Sequence, residues 1–196
     1  MDDAANTGIP EPAVIPAVAE RFKKGETFPD FLKRSKDNGE LWDALYKRAV
    51  LSPDLSDRAG AIEQPWHLLV LNEAWCGDSV NLLPHVARLE EASPNIELRI
   101  IGRDANPDIM NAHLTRTSRS IPIVIVLDEA FVERGWWGPR PDDLQRWVYE
   151  EGLALPKPDR YRHMRTWYAR DRGRSVVSEI LTIIERAEGR DEAAAG

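Results

Sequence analysis

The chain has 196 residues, with 26 Lys and Arg against 33 Asp and Glu, a formal charge of −7 that argues against nucleic acid as its main partner. Hydrophobic residues at 42% and charged residues at 30% describe a globular protein large enough to bury a core. No apolar run approaches the roughly 18 residues of a membrane span, the Met1-Asp2-Asp3 start lacks the features of a signal peptide, and one cysteine excludes an intrachain disulfide, so a cytoplasmic protein with no membrane partner is expected.

Residues 1–16, with Pro10, Pro12 and Pro16 among small and acidic residues, read as a flexible tail. Residues 17–62 read as a helical extension packed on the core. Its first helix starts near Thr27, a capping residue followed by Pro29 in the first turn. It carries Phe28, Phe31 and Leu32 on one face and stops at Asn38-Gly39. A second helix spans about 40–50, with Leu41, Trp42, Leu45, Tyr46 and Ala49 at helical spacing, and a third piece covers 53–61. Trp42 is expected to pin these helices to the rest of the protein.

Residues 63–196 form the main domain with a C-terminal helical extension. Trp66 to Leu71 is an apolar strand buried on both faces. A helix follows from Cys76, striped by Val80, Leu83, Val86, Ala87 and Leu89, to about Ser93-Pro94. Ile96 to Ile101 is a second strand, Pro107 to Leu114 a short helix, and Ile121 to Leu127 a β-branched third strand. Phe131 to Trp137 returns antiparallel as a fourth. Helices then cover about 141–152 and 159–184, the last broken at Gly173. This order predicts an α/β fold, a three-layer α/β/α sandwich around a mixed, mainly four-stranded sheet.

Trp75-Cys76-Gly77-Asp78-Ser79 places the single thiol directly after a strand and at the start of a helix. Pro84 lies eight residues on, and Ile121-Pro122 follows 46 residues after Cys76. Together these resemble the thioredoxin superfamily: a Trp-Cys-Gly-X-Cys signature up to its last position, a helix-kinking proline, and a cis-proline facing the cysteine. Asp104 through Pro107 is similar to the turn after that family's central strand. The resemblance covers about 66–152. The Trp136-Trp137-Gly138-Pro139-Arg140-Pro141 run and Trp167-Tyr168-Ala169-Arg170-Asp171 resemble a poorly characterised bacterial branch of it.

Two positions depart from the pattern. Ser79 stands where the resolving cysteine belongs, and Val70 stands where the family buries an aspartate that takes that second thiol's proton. Both changes remove the same half-reaction. The resemblance therefore implies a monothiol thiol–disulfide oxidoreductase, with Cys76 as nucleophile, Ser79 as its stabiliser, and Trp75, Gly77, Asp78, Ile121 and Pro122 forming the substrate surface. Cys76 would form a mixed disulfide with a disulfide-containing or glutathionylated protein or small thiol. An external thiol such as glutathione would release it, as a co-substrate rather than a bound cofactor. The alternative is a redox-inactive binding module that keeps the fold and the groove beside Pro122.

A thiolate at a helix N-terminus gains roughly 0.3–1 kcal/mol, and a hydroxyl donated by Ser79 roughly 1.5–3 kcal/mol more. Asp78 opposes both if its carboxylate leans toward the sulfur. The net expectation is a Cys76 thiol below its ordinary pKa, exposed and beside the Ile121–Pro122 bond. Arg116 and Arg119 are candidates for attracting an anionic thiol. His67, His85, His113 and His163 are scattered, so no metal site is expected. The basic residues of 157–174 read as a solvated helix face. Oligomeric state is not legible.

Overall fold

The computed structural model describes residues 18–189; the expected tail over 1–16 lies outside them. Strands β1 (Trp66–Asn72), β2 (Ile96–Gly102), β3 (Ile123–Leu127) and β4 (Glu133–Trp137) form one mixed sheet in the order β2-β1-β3-β4. β1 runs parallel to β2 and antiparallel to β3, which pairs antiparallel with β4. The central strands are apolar on both faces, and period-two alternation divides them between two cores. Leu68, Val70, Val124 and Val126 pack with Leu83 and Val86 of α5 (Gly77–Ala92) and Val177, Ile180 and Ile184 of α9 (Arg174–Ala187). Leu69, Leu71, Ile123 and Ile125 meet Phe22 of α1 (Val18–Lys24) and Ile109 and Met110 of α6 (Pro107–Ala112) on the other side. Helices thus cover both faces of the sheet, giving the expected α/β sandwich.

The N-terminal helices are tied to the sheet as well as packed on it. α2 (Phe28–Arg34) and α3 (Gly39–Arg48) enclose Trp42, which is fully buried and donates its indole N–H to the Ala74 carbonyl at 3.0 Å. Arg88 of α5 reaches the carbonyls of Ala49 and Tyr46 at 3.0 and 2.9 Å. Glu26 exchanges both backbone hydrogen bonds with Ile100, covering part of the open edge of β2. α4 (Pro53–Gly60) donates from Arg58 to Glu185 of α9 at 2.7 and 2.9 Å.

Several boundaries differ from expectation for local reasons. α1 had no distinct sequence signal. α2 ends at Arg34, with Ser35 Oγ donating to the Phe31 carbonyl at 2.7 Å. Asn38-Gly39 opens α3 instead of closing α2: Asn38 sits at φ 57, a conformation Asn tolerates and which serves either helix end. β3 begins at Ile123 because Pro122 has no N–H for the ladder. β4 begins at Glu133, since Asp128 Oδ1 accepts the N–H groups of Ala130 and Val132, each at 2.9 Å, and holds those residues in the turn. α7 (Asp142–Glu150) is followed by a short 3-10 turn over Gly152–Ala154.

The long C-terminal stretch breaks at Gly173 into α8 (Lys157–Asp171) and α9. Gly173 has φ +74, and a Cβ there would fall 2.0 Å from the His85 ring. The break turns α8 back across the sheet's end, where Met164 and Tyr168 become buried. Among the described residues, no helix is long and apolar enough to cross a membrane.

Candidate functional site

Cys76 is the N-cap residue of α5, with an extended backbone, and its carbonyl accepts the first helical bond from Val80 N–H at 3.2 Å. Its own N–H is held by the Glu73 carbonyl at 3.1 Å. The strand-to-helix turn therefore aims the side chain at the loop before β3. There the Ile121–Pro122 bond is cis, and the Cys76 thiol donates to the Ile121 carbonyl at 3.4 Å. Gly138 secures that loop from behind. It lies at φ +129, and a Cβ on it would come within 2.2 Å of the Pro122 carbonyl oxygen.

The sulfur is less accessible than expected. Cys76 is 7% exposed, at the floor of a cleft of about 580 Å³. Burial pushes the thiol above its ordinary pKa, against the downward pull of the Ser79 hydroxyl and the Ser79 and Asp78 backbone N–H groups, while the Asp78 carboxylate raises it further. This corrects the expected lowered thiol. Ser79 is the largest stabiliser of the thiolate, but desolvation outweighs it. The Ser79 hydroxyl is fully buried and lacks a hydrogen-bond partner while the thiol stays protonated. An ionised sulfur would give it one.

Asp78 turns away from solvent into a cluster that the motif alone does not reveal. Its Oδ2 lies 2.6 Å from Arg140 Nη2, and its Oδ1 accepts the Tyr168 hydroxyl at 2.8 Å. Arg140 also donates to Gln145 at 3.0 Å. Burial works against the guanidinium charge, but Asp78 more than offsets it and holds Arg140 above its ordinary pKa. Burial and the Asp78 charge push the Tyr168 phenol well up, so it remains a donor. Arg140 and Tyr168 were visible only as parts of runs marking a family branch. Tyr168 becomes a site residue because α8 lies over the sulfur, whereas Arg140 reaches the site from the loop between β4 and α7.

The other expected residues distribute unevenly. Trp75 stands 51% exposed at the rim, with the Arg103 guanidinium 5.1 Å from its ring. A Cβ on Gly77 would meet nothing within 4 Å, so it leaves the cleft mouth open. Arg119 lines the cleft, whereas Arg116 covers the Tyr149 ring at 3.6 Å instead. Arg165, counted with a solvated helix face, also lines the cleft. Trp136 packs on His113, 5.7 Å between ring centres. Trp137 is buried with its indole on Glu179, and neither lines the cleft over the sulfur. Val70 lies fully buried in the core. The four histidines sit elsewhere, His67 against Phe131 and His163 against Trp147. Among the described residues no three His, Cys, Asp or Glu side chains gather as metal ligands.

A family model described as thioredoxin matches residues 25–159, well over half of the chain. The chain belongs to the thioredoxin family. Its match begins in the N-terminal helices and reaches α8, so this chain's additions are partly within the family's own pattern. Two solved structures are similar to it. One is a protein of unknown function from Pseudomonas aeruginosa, 28% identical, with a TM-score of 0.73 over 88% of this chain and 99% of that one. The other is an HIV epitope scaffold, 27% identical, with a TM-score of 0.69 over 86% and 97%. No curated protein matches the sequence.

Proposed function

We propose that this thioredoxin-like protein performs thiol–disulfide exchange by a monothiol route through Cys76. The observation that carries the reading is the 3.4 Å contact between the Cys76 sulfur and the Ile121 carbonyl, with a serine one helical turn on where a second thiol would finish the reaction. The Cys76 thiolate attacks one sulfur of a disulfide. That S–S bond breaks, the departing thiolate takes a proton from water, and a Cys76 mixed disulfide remains. A second, external thiolate then attacks the substrate sulfur of the mixed disulfide and releases Cys76. Ser79 cannot release it, but its unpartnered hydroxyl can donate to the sulfur whenever Cys76 carries charge, on attack and again on release. A thiol held high ionises rarely yet attacks more strongly once ionised. A reducing compartment such as the cytoplasm would supply the external thiol.

The test is deglutathionylation of a glutathionylated peptide by wild type and Cys76→Ser. The reading expects release that depends on Cys76; equal release from both proteins would discard it. The burial of Cys76 and its raised pKa favour a second reading, a binding module in which the cleft receives a partner without redox chemistry. That module would show identical binding and no exchange in the two proteins.

A further inference from the structure

The cleft over Cys76 has a charge opposite to that of the chain. The protein carries a formal −7, yet Arg103, Arg119, Arg140 and Arg165 line this cleft and Asp78 is the one carboxylate among its lining residues. Arg140 already pairs with Asp78 at 2.6 Å. Arg103 is partly neutralised by Asp104 at 2.8 Å. Arg119 donates to a neutral side-chain acceptor, Asn111 Oδ1 at 3.0 Å, and interacts with the exposed Asp104 carboxylate only through its charge. Arg165 has no hydrogen bond or ion pair among the described residues. Two cations thus line the cleft without a direct ion pair among the described residues.

Size and access narrow the ligand further. A volume of about 580 Å³ falls within the range of small-molecule clefts. The sulfur lies at its floor with 7% of the residue exposed, and Met164 and Tyr168 of α8 help wall it in. A slender disulfide reaches that depth more easily than one anchored in a folded protein. The fully buried, unpartnered Ser79 hydroxyl awaits charge on the sulfur at the same spot.

We propose that this cleft recognises a low-molecular-weight disulfide bearing carboxylates, with Arg119 and Arg165 holding the carboxylates while Cys76 exchanges with the disulfide. The inference rests on the monothiol reading and names its substrate class. Exchange itself follows the balanced steps above: the ligand's S–S bond breaks, one half joins Cys76, and the other leaves as a thiol. Arg165 makes the C-terminal extension a specificity element, because it brings a cation of α8 to the cleft.

The full chain is treated with oxidised glutathione, hydroxyethyl disulfide or cystamine, which are anionic, neutral and cationic. Adduct formation at Cys76 is followed by intact mass, and each rate is divided by that of the same disulfide with free N-acetylcysteine amide. The normalised rate for oxidised glutathione should exceed that for hydroxyethyl disulfide by about tenfold at low salt, and the advantage should shrink as salt rises. Arg165→Ser should lower the glutathione-to-hydroxyethyl ratio several-fold, and Arg119→Ser should do the same by an independent route. Equal normalised rates, a preference for cystamine, or ratios unchanged in both variants would overturn the proposal and leave monothiol exchange standing. Absence of adduct from all three disulfides would overturn both.

Discussion

Tyr168 donates its hydroxyl to Asp78 across 2.8 Å, joining residues 90 positions apart in the chain. The bond fastens α8 to the turn that carries the thiol, and it makes the C-terminal extension a wall of the site. Asp78 is shared with Arg140, so the charge closest to Cys76 in sequence is paired with an arginine of the β4–α7 loop and hydrogen-bonded by a tyrosine of α8. Tyr168→Phe should remove one hydrogen bond to a charged group and lower stability by about 1.5–3 kcal/mol. Urea unfolding measures this; an unchanged midpoint would mean that α8 is held by packing alone.

Ser79→Ala removes the largest influence stabilising the Cys76 thiolate. Alkylation of Cys76 by iodoacetamide at pH 8 should slow about tenfold. In wild type the rate should climb through pH 8.5 without a plateau, because burial has raised the thiol. A plateau near neutrality would place the sulfur in a wetter setting than its 7% exposure allows.

Asp78→Asn should act in the opposite direction on the thiol. It takes a like charge from the sulfur's surroundings and leaves Arg140 with its positive charge unspent. Alkylation at pH 8 should quicken several-fold, while stability falls by about 1–3 kcal/mol from the weakened pair. Slower alkylation would show that Asp78 serves Cys76 chiefly by holding the turn in place.

Gly138→Ala should damage the site without touching a reacting group. The added Cβ would overlap the Pro122 carbonyl oxygen at 2.2 Å, and φ +129 disfavours any side chain. A loss of about 2 kcal/mol or more is expected, together with altered Cys76 alkylation as the Ile121 carbonyl shifts. Wild-type behaviour in both assays would contradict the packing described for this loop.

Two histidines give stability an opposed dependence on pH. Burial holds His85 below its ordinary pKa, so it stays neutral when folded. Its contribution is complete above about pH 6.5 and is lost as pH falls toward the folded value. His113 is opposed by burial, but its hydrogen bonds to Glu133 and the Ile109 carbonyl carry it upward. Its contribution is complete below about pH 6.5 and is lost as pH rises through the folded value. Urea midpoints should decline on the alkaline side in wild type and decline less in His113→Gln. Parallel declines would remove His113 from the account.

The framework of the site was legible because it is local. Strand β1, the Cys76 turn and the stripe of α5 are contiguous, and Ile121-Pro122 stands out by its spacing from Cys76 and the family resemblance that spacing carries. The four strands and the antiparallel return of the last followed from the same runs, whereas the order β2-β1-β3-β4 is set by long-range pairing. What the pattern did not convey was burial. Met164, Arg165 and Tyr168 lie about ninety residues beyond the thiol, and only the tertiary placement of α8 brings them over it. A helix-terminus argument alone puts the thiol low, whereas burial beside Ile121 and its core neighbours adds a desolvation cost that reverses the sign. Asn38-Gly39 misled for a different reason: a residue at positive φ can open a helix as well as close one.

The most direct measurement is the intact mass of the protein after treatment with oxidised glutathione, with and without Cys76→Ser. The account predicts one glutathionyl adduct on wild type, removed by added thiol, and none on the variant. Wild type that remains unmodified, although reacting fully with iodoacetamide once unfolded, would contradict a reactive sulfur at the floor of this cleft.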